Sequence, residues 1–152
     1  MAGVGTLLAQ DSADALRWML ETNVFGILNM SQHFAPVLQR NGGAFVNVLS
    51  VASWKSNPAL AGYAVTKATA WNLINGVQDA LREQGTQVLG VHVGMIDTDL
   101  TRGFDLPKLS PDTVVARSFA ALEAGAGEVL VDEIVRAVKQ GLIAEPPLYT
   151  LA

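Results

Sequence analysis

Tyr63 and Lys67 stand four residues apart in the stretch GYAVTKATAW, residues 62–71. On an α-helix that spacing sets both side chains on one face, separated by about 6 Å of rise, so both can reach one small molecule. An unperturbed phenol, with a pKa near ~10, holds its proton too firmly for exchange at neutral pH. A neighbouring ammonium group favours the phenolate and brings that value down. The pair therefore suits proton transfer with a bound ligand. Turned to solvent, the same residues would be a surface tyrosine and a hydrated lysine. Further polar groups must converge on Tyr63 to separate the two cases, and the surrounding elements decide whether they do.

Leu16, Leu20, Val24, Ile27, Phe34 and Leu38 recur at helical steps between Asp11 and Arg40, which predicts one long amphipathic helix with Pro36 as the place for a bend. NGG (41–43) closes it, because Asn and Gly tolerate left-handed backbone. AFVNVLS (44–50) is almost continuously apolar and predicts a strand buried on both faces, hence a parallel sheet. A second helix is expected over 62–83, a strand over 87–93, and an irregular stretch to Pro111. A short helix through Leu122, a strand over 127–131 and a last helix over 132–142 follow. The alternating order is that of βαβ crossovers, so the expected fold class is α/β, a Rossmann-like parallel sheet in a single domain over 1–152. In such sheets ligands collect beyond the carboxyl ends of the strands. There the sequence offers Ser50, thirteen residues before Tyr63, and Gly94 and Thr98 in VGMIDT. Asn23, an amide on an otherwise apolar helix face, can join them.

Half of the residues are hydrophobic and only 16% are charged, which implies extensive buried surface or a large subunit interface. A net charge of −4 with no run of Lys or Arg argues against nucleic acid as a partner. The absence of cysteine removes disulfides, thiolate catalysis and cysteine metal sites, and makes the cytoplasm the expected compartment. No apolar run approaches the ~20 residues of a membrane span, so no membrane association is expected, and no targeting segment is recognisable. His33 and His92 are expected to be satisfied or exposed histidines rather than ligands, and no metal constellation stands out. Trp18, Trp54 and Trp71 read as core or interface residues, although Trp54, in the loop after Ser50, could line a pocket.

Asn23, Ser50, the Tyr63-x-x-x-Lys67 pair and VGMIDT, in this order and spacing, resemble the C-terminal part of the short-chain dehydrogenase/reductase family. The likeness runs from AGVG to about Val131. It implies an NAD(P)-dependent oxidoreductase that interconverts a carbonyl and a secondary alcohol. Tyr63 would be the acid in reduction and the base in oxidation, and Ser50 would hydrogen-bond the substrate oxygen. Lys67 would also hold the nicotinamide ribose, and Asn23 would anchor a water in the proton relay. Ala2, Gly3, Tyr63, Lys67, Gly94, Ile96 and Thr98 fall at positions that touch the cofactor. Ser53 could compete with Ser50, and Thr98, like Asp97 or Asp99, could simply cap a turn.

The glycine-rich turn that holds a dinucleotide pyrophosphate in this family is not in the sequence, so NAD and NADP are not distinguished. MAGVG matches the end of the family's Asn-Asn-Ala-Gly segment, with Met1 where the second Asn stands. The expectation is therefore a truncated, C-terminal catalytic portion with an apolar sheet edge left open at 44–50. Val93 replaces a family proline, and the short stretch from Thr98 to Pro111 leaves little chain for a substrate lid. Helices at 12–40 and 61–83 correspond to the pair with which family members build a four-helix interface, implying a homodimer or homotetramer. The alternative is a non-catalytic remnant serving as an interaction module.

Overall fold

The computed structural model describes residues 7–150, so the expectations for Ala2 and Gly3 lie outside the described residues. Helix α1 (Ser12–Leu20) runs through a π-turn (Glu21–Phe25) into α2 (Gly26–Asn41). The irregularity expected at Pro36 falls at the π-turn instead, and α2 continues through Pro36. In the π-turn the Gly26 amide bonds the Glu21 carbonyl, an i to i−5 bond that inserts one extra residue into the helical path. Gly42 and Gly43, with φ of 72° and 112°, end α2 as the NGG signal predicts.

Strand β1 (Ala44–Val48) then leads to a one-turn 3₁₀ helix at Val51–Ser53, and another at Pro58–Leu60 opens α3 (Ala61–Leu81). Gly85, at φ 72°, turns the chain into β2 (Gln87–His92). Helix α4 (Pro111–Glu123) starts with Pro111 behind Ser110, whose hydroxyl accepts the Thr113 amide. Strand β3 (Glu128–Leu130) and helix α5 (Glu133–Gly141) complete the order, each within a residue or two of its expected bounds.

The sheet is parallel in the order β1-β2-β3, with Val46 opposite Leu89 and Val91 opposite Val129. The fold is thus the expected α/β class with a Rossmann-like parallel sheet. Alternation along β2 divides the core. Leu89, Val91 and Val93 pack with Val114 of α4 and Val131, whereas Val88 packs with Ile74, Val77 and Leu81 of α3. β1 is less enclosed than a strand buried on both faces: Phe45 meets the α3 cluster, but Val46 and Val48, on its other face, are 43% and 51% exposed. The cause is that α4 covers only β2 and β3. Among the described residues no helix is long and apolar enough to cross a membrane.

Ile74 is 1% exposed at the centre of the α3 cluster. Ile74→Ala should lower unfolding stability by roughly 2–5 kcal/mol, read from urea denaturation monitored by circular dichroism.

Candidate active site

β2 lies between two helical layers, and the chain leaves its carboxyl end and that of β1 side by side. The Leu49 amide bonds the Val91 carbonyl at 2.8 Å and the Val51 amide bonds the Val93 carbonyl at 2.9 Å, so ladder-like pairing continues past the end of β1. Ser50 is thereby fixed in extended backbone, buried, with its hydroxyl oxygen accepting the Ala52 amide at 3.1 Å. Its neighbour Ser53 is also buried, but its hydroxyl has no partner.

Tyr63 occupies the first turn of α3, half-buried, with the Ser50 side chain near enough to act on its phenol. Burial raises the phenol pKa above the ordinary range, and the Ser50 side chain offsets part of that rise. Lys67 follows one turn later, with Nζ 5.7 Å from the Tyr63 ring centroid and donating to the Val48 carbonyl at 2.9 Å. The expectation that Lys67 lowers the Tyr63 phenol needs correction: in this structure the ammonium is engaged by a backbone carbonyl, and burial outweighs it. Burial also lowers the Lys67 pKa, because the charged form loses water.

Asn23 sits within the π-turn. Its amide nitrogen donates to Thr66 Oγ1 at 3.0 Å, and that hydroxyl donates to the Tyr63 carbonyl at 2.8 Å. The fully buried Thr66 is a link that sequence reasoning missed. Its place between Tyr63 and Lys67 on α3 was the available signal. Asn23, Ser50, Tyr63 and Lys67 are therefore joined around the first turns of α3.

Gly94, Ile96 and Thr98 form the loop after β2. The Gly94 amide donates to Asp132 Oδ2 at 2.8 Å, while Asp132 Oδ1 caps α5 by accepting the Val135 amide at 2.9 Å. Ile96 bridges to Leu109. Thr98 is exposed and precedes a 3₁₀ turn, Asp99–Thr101, with its amide on Thr101 Oγ1 at 3.3 Å. It thus has the turn-forming place that its sequence also allowed.

A second polar group lies beyond the loop. Trp54 stacks on His92, with ring centroids 4.1 Å apart and planes 17° from parallel, and meets Trp71 edge-on at 5.8 Å. His92 is fully buried without a well-directed hydrogen bond on either nitrogen, contrary to the expectation of a satisfied or exposed histidine. Its Nε2 lies 3.2 Å from Glu128 Oε1, a close electrostatic contact at a poor hydrogen-bond angle. The other Glu128 oxygen pairs with Lys139. These contacts hold the Glu128 carboxyl down to about 2, His92 contributing most and Lys139 next, against the opposing effect of burial. A cleft of about 390 Å³, lined by Trp71, Gln78, His92, Glu128 and Lys139 among others, opens here. No group of three or more metal-ligating side chains occurs among the described residues.

Two measurable consequences follow from these shifts. Alkaline titration of phenolate absorbance should show Tyr63 ionising above the ordinary range, with the transition absent in Tyr63→Phe and moved further up in Ser50→Ala. For Glu128 the folded pKa is depressed, so its stabilising contribution is full above the ordinary 4.5 and lost as pH falls toward about 2. Glu128→Gln should therefore be less stable than the parent chain at neutral pH, and the gap should close on acidification, read from urea unfolding at a series of pH values.

The chain is similar in sequence and fold to known proteins. The family model described as short chain dehydrogenase matches residues 1–107. A Staphylococcus aureus protein named as an uncharacterized oxidoreductase is 27% identical over 108 residues, 68% of this chain and 47% of that protein. The 7alpha-hydroxysteroid dehydrogenase of Escherichia coli is 32% identical over 90 residues, 59% of this chain and 35% of that enzyme. The crystal structure of a short chain dehydrogenase from Burkholderia cenocepacia, in complex with NADP, superposes with a TM-score of 0.87 at 35% identity, over 94% of this chain and 60% of that one. The chain thus spans less than half the length of these two curated relatives. With a family model covering more than half of its residues, the chain belongs to the short-chain dehydrogenase family.

Proposed function

We propose that the protein to which these residues belong is an NAD(P)-dependent oxidoreductase interconverting a carbonyl and a secondary alcohol, with Tyr63 as the proton donor and acceptor. The observation that carries this reading is the placement of buried Ser50, just past the carboxyl end of β1, where its side chain acts on the half-buried Tyr63 phenol, with Lys67 one turn away. Ser50 Oγ accepts the Ala52 amide, which leaves its own proton free to donate to an oxygen. A substrate oxygen between the two hydroxyls accepts from both and is thereby oriented. In reduction Tyr63 gives its proton to the developing alkoxide, and in oxidation it takes one back. Because burial raises the phenol, alcohol oxidation should gain and carbonyl reduction should lose as pH rises. Asn23, steadied by Thr66, anchors the relay water in the same reading.

The residues present fit a nicotinamide dinucleotide. An ammonium group has three donors, and Lys67 gives one to Val48, leaving two for a ribose diol. Burial makes the Lys67 charge costly without such acceptors. Ala2, Gly3, Gly94, Ile96 and Thr98 complete the proposed contacts, and NADP in the Burkholderia cenocepacia relative supports this class of cofactor without choosing between NAD and NADP for this chain. When bound, the cofactor supplies or removes a hydride. A cysteine-free chain using it fits the cytoplasm.

A single domain over 1–152, forming the catalytic portion of a longer enzyme, belongs to the same proposal. So does a homodimer or homotetramer through 12–40 and 61–83, which is supported by the exposure of Trp18, Phe25, Met30, Phe34 and Val65 on these helices. The uncovered Val46 and Val48 favour the second reading, a non-catalytic interaction module.

Calorimetric titration of the 152-residue chain with NADH and with NADPH, followed by carbonyl turnover, separates the two. Under the first reading one dinucleotide binds saturably, and Tyr63→Phe loses about 10²–10⁴-fold in kcat while still binding it. Unchanged turnover in Tyr63→Phe would refute the proton-transfer role, and a folded chain that binds neither dinucleotide would favour the module. Met30→Asp should shift sedimentation toward the monomer if the helices form the interface.

A further inference from the structure

We infer that Trp54 is a positioning residue for Ser50, and that α5, through Lys139, braces it from the β3 edge of the sheet. The inference rests on the reading that Ser50 and Tyr63 share the proton chemistry. Its geometry is a closed ring of four contacts: Trp54 on His92, His92 on Glu128, Glu128 on Lys139, and Lys139 back over the Trp54 ring at 5.3 Å from its centroid. The members come from the loop after β1, the end of β2, strand β3 and helix α5. Trp71 of α3 adds a perpendicular contact to the same indole.

The 3₁₀ turn transmits this hold to Ser50. The Ser53 amide bonds the Ser50 carbonyl at 2.9 Å, the Trp54 amide bonds the Val51 carbonyl at 3.1 Å, and the Ala52 amide bonds Ser50 Oγ at 3.1 Å. The turn is one 3₁₀ repeat long, too short to absorb a displacement of its last residue without moving its first. The buried Trp54 Nε1 has no hydrogen-bond partner, so stacking and the ammonium above the ring, not a polar anchor, fix the indole. Asp132 gives α5 a second grip on the same end of the sheet, through the Gly94 amide. Nothing in the ring touches Tyr63 or Lys67 directly among these contacts, so its influence on the reacting groups runs through Ser50.

The Tyr63 ionisation provides a readout that needs no turnover, because the Ser50 side chain lowers the phenol pKa. Trp54→Ala should move the alkaline absorbance transition up as Ser50→Ala does, and combining the two should add nothing. Trp54→Phe, which keeps a ring on His92, should return the transition close to that of the parent chain. In turnover assays of the chain with its proposed cofactor, Trp54→Ala should lose on the order of ten- to a hundred-fold in kcat, with cofactor KM unchanged. An unmoved transition in Trp54→Ala, or a full additional shift on top of Ser50→Ala, would overturn the brace. Should Trp54→Ala fail to fold, Lys139→Met keeps the stem and removes the charge over the ring, and an unmoved transition there is equally decisive. An unmoved transition in Ser50→Ala would also overturn it, because the Ser50–Tyr63 contact would then be absent. Tyr63→Phe, assayed alongside, separates the failures: retained turnover sinks the proton-transfer reading, whereas lost turnover beside a normal Trp54→Ala sinks only the brace.

Discussion

β2 is enclosed on both faces from Val88 to His92, and that enclosure constrains everything around it. A strand with no contact to water must pair its backbone groups on both sides, and β1 and β3 supply those partners in fixed register. Side chains then alternate between α3 and α4 with no freedom to slip, because a one-residue shift would send Val88 and His92 into the opposite layer. The loops that leave the carboxyl ends inherit this rigidity. Ser50, Gly94 and Asp132 sit where they do because three strands end together.

The site built on that frame sets burial against charge. Tyr63 and Lys67 both pay for lost hydration, one by holding its proton more tightly and the other by holding it less tightly. Each shift favours the neutral form, which is the response of ionisable groups in a partly dry environment when no strong counter-charge faces them. The Glu128 carboxyl is the opposite case: it keeps its charge because His92 and Lys139 face it. Two clusters on one sheet end thus differ in sign for a reason visible in their partners.

Much of this was legible in the sequence. Helical spacing of Leu73, Ile74, Val77 and Leu81 gave α3, NGG gave the end of α2, and near-continuous apolar runs gave the parallel strands. The sequence offered both Ser50 and Ser53 near Tyr63, and the structure buries both, with Ser50 acting on the phenol and the Ser53 hydroxyl without a partner. Three things escaped. The π-turn carries no compositional mark, since its residues ETNVF suit an ordinary helix. The environment of Lys67 depended on a carbonyl from β1, nineteen residues away, which no local pattern encodes. His92 and Glu128 are separated by thirty-six residues and meet only because β2 and β3 pair, so each looked like an isolated polar residue until the sheet was formed.

The π-turn at Glu21–Phe25 carries one residue more than an α-helix of the same length needs. Loss of one residue there would let α1 and α2 merge into a regular helix, but would rotate α1 by about 100° relative to α2 and turn buried Met19 away from α3. What would vanish is the rotational offset that turns the Asn23 amide toward Thr66. The extra residue therefore sets two things at once: the apolar face that α1 lays on α3 and the direction in which Asn23 points.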